Sequence, residues 1–143
     1  MSALDAIAIG MSGEDSVTVT DDLTVAHFVP HMPKVYATPM MILLMETASA
    51  SAIAPHLPDG FVSVGMEVNV RHLAATPVGH IVRATARVIE VEGRSVLFAV
   101  EAFDGDRKVG DGTHRRGVVN VAKFEKQVLA GLTNPLGAPG GSR

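Results

Sequence analysis

Hydrophobic periodicity changes character twice along the chain. The run DSVTVTDDLTV over residues 15–25 alternates and is rich in β-branched residues, which predicts a first strand with a turn at Asp21 and Asp22. Pro30 and Pro33 then break up HFVPHMPKVYA, so this stretch should be a loop or an irregular turn. Thr38 followed by Pro39 is a helix-start signal. A threonine hydroxyl can accept from free backbone N–H groups as N-cap, and a proline suits the first helical position because its missing N–H would go unused there. The helix should cover about residues 39–54 and end at Pro55 and Pro58. It is apolar or small almost all round, with Met40, Met41, Ile42, Leu43, Leu44 and Met45 followed by alanines and serines. A helix without a polar face is predicted to be wrapped by other structure.

After the helix the period is two. Val62, Val64, Met66, Val68 and Val70 alternate with Ser63, Gly65, Glu67, Asn69 and Arg71, predicting a strand whose valine side is buried, with His72 on that same side. Two further strands, about 81–91 and 95–103, are joined by a short turn at residues 92–94, and Asp104-Gly105 turns the chain into a last strand over about 108–122. One strand, one buried helix and four strands in hairpin succession define an α+β chain. They are most easily satisfied by an antiparallel sheet curling around a central helix. We place one domain over residues 1–128; the segment 129–143, ending in GLTNPLGAPGGSR, lacks periodicity and reads as a flexible tail.

Bulk properties narrow the partners. The 143 residues suit a single domain, and a net charge of −3 with a pI near 6.0 gives no general attraction to nucleic acid or to an anionic membrane. With no cysteine there is no disulfide, thiolate nucleophile or Cys-ligated zinc. The longest apolar stretch is interrupted by Glu46, Thr47 and two serines and falls short of the roughly 20 residues that span a bilayer. No basic residue precedes Lys34, so no secretory leader is predicted and a soluble, cytoplasmic protein is the default expectation.

Glu46 is the one formally charged residue between Lys34 and Asp59, inside the most apolar part of the chain. A carboxylate in such surroundings costs several kcal/mol unless paired or hydrogen-bonded, so its presence asks for a use. Eight helical residues, about 12 Å of rise, separate it from Thr38; the two do not touch but can border one cleft. His72 ends the strand expected to lie on that helix. Carboxylate, imidazole and hydroxyl together suit acyl transfer. Each also has a plain structural reading: a Thr before a helical Pro is usually a cap, and a His at a strand end is usually structural.

His27 and His31 have helical metal-ligand spacing, but Pro30 lies between them and no third ligand accompanies them, so neither a metal nor another cofactor is expected. Gly110, Gly112 and Gly117 lie in a strand pattern, which excludes a dinucleotide loop. Arg115 and Arg116, with Arg94 and Lys108, form the best local basic group, either a solvated strand face or a seat for ligand phosphates.

The segments VYATPMMILLMETASASAIAPHLPDG, VGMEVNVRHLAATPVGHIVRATARV, VEGRSVLFAVEAFDGDRKVGDGTHRRGVV and VAKFEKQV resemble the fluoroacetyl-CoA thioesterase group of hotdog-fold acyl-CoA thioesterases, over roughly residues 35–128. The resemblance implies a hotdog fold, an acyl-CoA substrate, and a homodimer with active sites at or near the subunit interface. It also implies catalytic roles for Thr38, Glu46 and His72, a backbone N–H from Gly65 toward the thioester oxygen, and substrate-binding roles for Arg116, Tyr36 and Met32. Met32 stands where the fluoroacetyl-specific enzyme carries an aromatic lid residue. That departure argues for a different acyl pocket, and hence against selectivity for fluoroacetate. Hotdog domains also serve as hydratases, dehydratases or acyl-CoA binders, so the fold alone does not choose among them.

Overall fold

The computed structural model describes residues 2–131, and they form one five-stranded antiparallel sheet curled against a long helix. Strand β1 (Ser12–Thr18) is followed by a 3-10 turn (Asp21–Leu23), a short helix α1 (Val25–Phe28) and the long helix α2 (Thr38–Ile53). Strands β2 (Phe61–His72), β3 (Ile81–Glu92), β4 (Ser95–Asp104) and β5 (Arg107–Asn120) follow, and helix α3 (Val121–Ala130) closes the described chain. The sheet order is β1-β3-β4-β5-β2, so β1 and β2 are its edges.

The first strand is shorter than its alternation suggests. Aspartates at 21 and 22 start a turn in which the Thr20 hydroxyl donates to the Asp22 carboxylate, and the last alternating residues become the turn and α1. At the other end, residues expected to finish β5 or begin a tail form α3. Asn120 caps it by accepting from the Lys123 N–H at 3.1 Å, and Gly131 stops it at φ 62°. Residues 129 and 130 therefore belong to a helix rather than to the expected tail; the remainder of that expectation, 132–143, lies outside the described residues.

Helix α2 buries one broad side only. Met41, Leu44, Met45, Ala48, Ser49, Ala52 and Ile53 meet Val82, Ala84, Ala86 and Val88 of β3 and Val96, Phe98 and Val100 of β4 in the core, while Leu43 is 51% exposed. The expected all-round wrapping is thus not supplied by this chain's own sheet. The helix lies over β1 and β3 and leans on β1 at Gly13, where a Cβ would stand 2.5 Å from Ser51 Oγ and 2.6 Å from the Ala48 carbonyl.

The alternation of β2 is also revised. Its pairing with β5 slips between Gly65 and Glu67, leaving Met66 as the extra residue of a bulge. A one-residue slip reverses which side chains face inward. Phe61, Ser63 and Gly65 face the helix before the bulge; Val70 and His72 face it afterwards, as predicted. Val62, Val64 and Met66 fall on the opposite side, with Val62 and Met66 more than 40% exposed. The bulge is what brings Gly65 and His72, seven residues apart, onto one face.

Filling the space at Gly13 tests the closeness of β1 and α2. Gly13→Val should lower unfolding free energy by about 1–3 kcal/mol in a urea titration, through overpacking; an unchanged midpoint would contradict the contact.

Candidate active site

Two polar clusters interrupt the inner face of the sheet. The first is built around Glu46, on the half-open side of α2. Its carboxylate lies against the backbone of β2: a Cβ on Gly65 would stand 2.5 Å from Glu46 Oε2, so any side chain there would make the carboxylate shift. Arg116 Nη1 is 3.5 Å from the same oxygen. The guanidinium is itself held, donating through Nε to Ser63 Oγ and through Nη2 to the Ser63 carbonyl, both at 2.8 Å. Burial draws the Arg116 pKa down, opposed by the Glu46 charge, and the group stays cationic. Glu46 is about one-third exposed rather than sunk in the core; it is a paired carboxylate with one side open to an incoming molecule.

His114 completes this cluster, with its ring 1% exposed. Its Nδ1 is 2.8 Å from the Glu67 carbonyl, Nε2 is 3.1 Å from Arg116 Nη1, and Nε2 is 3.8 Å from Glu46 Oε2. Desolvation is the main cause of its lowered pKa, with Arg116 pushing the same way and the Glu67 carbonyl and Glu46 opposing, so the ring is neutral at neutral pH.

The second cluster is Thr38 and His72, at the start of α2 and the end of β2. Thr38 is the first helical residue and Ala37 the cap, so its hydroxyl is not spent on helix N–H groups as predicted. It lies 2.7 Å from His72 Nδ1. Burial lowers the His72 pKa from 6.5, partly offset by the nearby Ala74 backbone, and Nε2 is enclosed without a hydrogen-bond partner. The pair opens on a cleft of about 340 Å³ walled by Val25, Val35, Tyr36, Leu73, Ala74 and Ala75.

Within one chain the clusters remain apart, by about 12 Å of helix rise between Thr38 and Glu46 and about 20 Å of strand between Gly65 and His72. The other predicted positions divide. Tyr36 is 1% exposed and donates its hydroxyl to the Met40 carbonyl at 3.0 Å; burial lifts its pKa to about 12, so it is a wall of the cleft rather than a polar ligand group. Met32 is 46% exposed in the segment after α1 and outside that cleft's wall. Arg116 points inward onto Ser63 and Glu46, which removes it from any surface seat for phosphates, while Arg115 is held by Ser95 and Glu90. His114 and Ser63 were not singled out by sequence. The signal for His114 was its spacing: His and Arg two apart in a strand share a face.

A larger cleft of about 360 Å³ lies elsewhere, between residues 2–4, Phe61, Val118 and α3, and holds none of these groups. Among the described residues no cluster of three His, Asp or Glu side chains could hold a metal, and no helix is long and apolar enough to cross a membrane.

A curled antiparallel sheet with one long helix against it is the architecture of the hotdog thioesterases. A hot-dog-like protein of Thermanaerovibrio acidaminovorans superposes with a TM-score of 0.83 at 27% identity, over 94% of this chain and 99% of that one. The fluoroacetyl-CoA thioesterase of Streptantibioticus cattleyicolor is 38% identical over 87% of this chain and 94% of its own length. A solved structure of the fluoroacetyl-CoA thioesterase matches with a TM-score of 0.82 at 38% identity, covering 88% of this chain and 98% of that one. Residues 19–122 match the family model of the fluoroacetyl-CoA-specific thioesterases, and the chain belongs to that family.

The two neutral histidines tie stability to pH. Their folded pKa values lie below 6.5, so on acidification the unfolded chain takes up protons that the native state resists. The stability contribution is full above about pH 6.5 and is lost as pH falls through the lower folded values. Urea titrations between about pH 7.5 and pH 5 should show this decline, and His114→Gln should flatten it; a slope identical in the variant would contradict the assignment.

Proposed function

We propose that the protein is an acyl-CoA thioesterase that hydrolyses a short or small acyl-CoA to the carboxylate and free CoA, with Glu46 as its reacting acid-base or nucleophilic group. One observation carries the reading: the Glu46 carboxylate lies against the bare backbone of Gly65, paired with Arg116, with one side open. Family membership supports the thioester substrate.

In this reading the thioester carbonyl lies over Gly65, whose N–H, or that of the unpaired bulge residue Met66, takes the developing oxyanion. Glu46 either attacks the carbonyl, giving an anhydride that water then opens, or removes a proton from the attacking water. The C–S bond breaks, and the thiolate leaves as CoA after receiving a proton. Thr38 and His72 are hydrogen-bonded through the hydroxyl and Nδ1; in the tautomer in which Nδ1–H donates, the Thr38 hydroxyl keeps its own proton to donate to a substrate oxygen, and in the other tautomer the hydroxyl donates to Nδ1 and the ring proton lies on Nε2.

The separation of the clusters supports a homodimer. Strand β2 is a sheet edge with exposed Val62, Met66 and Val68, and α2 has an uncovered Leu43. Antiparallel pairing of two β2 edges across a two-fold axis brings Thr38 and His72 of one copy toward Gly65 and Glu46 of the other, so that each site is shared.

A panel of acyl-CoAs with thiol detection tests the chemistry. Glu46→Gln should lower kcat by ~10²–10⁴-fold with little change in KM, and Met32 predicts no exclusive preference for fluoroacetyl-CoA over acetyl-CoA. Full activity in Glu46→Gln would sink the mechanism. Mixing unfolded Glu46→Gln and His72→Ala chains and refolding them together should restore about a quarter of wild-type activity if sites are shared, because half the dimers are mixed and each has one intact site. No restoration would place every site within one protomer.

A further inference from the structure

The assignment of Glu46 leaves unexplained why a histidine is buried beside it. Hydrogen-bond chemistry fixes its state from both sides. The Glu67 carbonyl can only accept, so His114 Nδ1 must carry the proton. Nε2 is then a bare lone pair, and the group 3.1 Å away is an Arg116 N–H, which can only donate. The ring is thus a neutral Nδ1–H tautomer acting as a relay of position. It ties the β2 bulge, through Glu67, to the one Arg116 nitrogen that also faces Glu46.

Resting on the thioesterase reading, we propose that His114 is a positioning residue for Glu46, and that it acts by accepting from Arg116 Nη1 and so fixing the guanidinium at the carboxylate. Ser63 holds Nε and Nη2 on the far side of the guanidinium; without His114 the Nη1 corner loses its lateral anchor and swings in the plane that sets its approach to Glu46 Oε2. The role depends on the ring being uncharged. A proton on Nε2 would turn an acceptor into a donor, repel Arg116 and compete for the Glu46 oxygen 3.8 Å away. The surroundings oppose that proton. The charged groups facing the ring are Arg116 on its own strand and Glu46 on α2. From β4 its cross-strand partner is the buried Phe98, and from β2 it meets the Glu67 carbonyl, its cross-strand partner Val68 and the backbone of Gly65, while the Glu67 carboxylate lies by Arg115. The bulge is part of the device: the pairing slip lies between Gly65, whose missing Cβ leaves the place where Glu46 rests, and Glu67, whose carbonyl orients His114.

Two near-isosteres separate positioning from bulk. A glutamine carbonyl reaches the place of Nε2 and can accept from Arg116, whereas asparagine reaches only the place of Nδ1. Steady-state hydrolysis of the best acyl-CoA of the panel should show kcat of His114→Asn reduced about 10-fold or more with KM within about twofold, as for a lost orienting contact. His114→Gln should stay within about threefold of wild type. The imidazole ¹⁵N spectrum of the wild type should show one ring protonated at Nδ1 and neutral at pH 7. Equal losses in both variants, undiminished kcat in His114→Asn, or an Nε2–H tautomer would overturn this proposal while leaving the thioesterase reading standing. A wild type that hydrolyses no acyl-CoA overturns both.

Discussion

A carboxylate resting on a backbone with no side chain beneath it is the constraint on which the site depends. Glu46 rests where a side chain on β2 would push its carboxylate aside, and Gly65 occupies that place at the edge of a bulge. The bulge in turn decides which residues of β2 look inward, so a single inserted residue sets the positions of Gly65, Ser63, His72 and the carbonyl that holds His114. Charge balance follows from the same geometry. Arg116, buried and fixed by Ser63, faces the carboxylate from below and leaves its open side to the substrate.

Much of the fold was legible because periodicity tracks burial where tertiary contacts are regular. The long helix and the three strands after β2 follow from their alternation and from the prolines and glycines that bound them. Legibility failed where one residue's hydrogen bond overrides pattern. Alternation continued through Asp21 and Asp22, yet turn chemistry ended β1 early. Val62, Val64 and Met66 look like core in sequence, but the slip at Met66 turns them outward, and periodicity cannot register an inserted residue. In α3 the signal was an Asn cap ahead of a short amphipathic run, easily read as the end of the preceding strand.

For the candidate site, Glu46 stood out in sequence because a lone charge in an apolar helix is costly, Thr38 and His72 were read beside it as a hydroxyl and an imidazole that could border one cleft, and Gly65 came through family resemblance. The structure altered three of the readings. Thr38 meets His72 instead of capping the helix, Tyr36 spends its hydroxyl on a backbone carbonyl, and Arg116 turns inward. His114 escaped notice because a histidine in a strand has no distinctive pattern; only its place between a carbonyl and a guanidinium reveals its tautomer. The proposed homodimer rests on the exposed apolar residues of β2 and α2 and on the separation of the two polar clusters within a chain.

The closeness of Glu46 to Gly65 is the claim on which everything else rests, and replacing that glycine reaches it most directly. A methyl group at Gly65 would displace Glu46 Oε2 without touching the carboxylate's chemistry. Measured as CoA release under saturating substrate, Gly65→Ala should lose about 10²-fold or more in kcat while folding normally, in line with the cost of a misplacement of about 1 Å. Wild-type turnover in a folded Gly65→Ala protein would contradict the account.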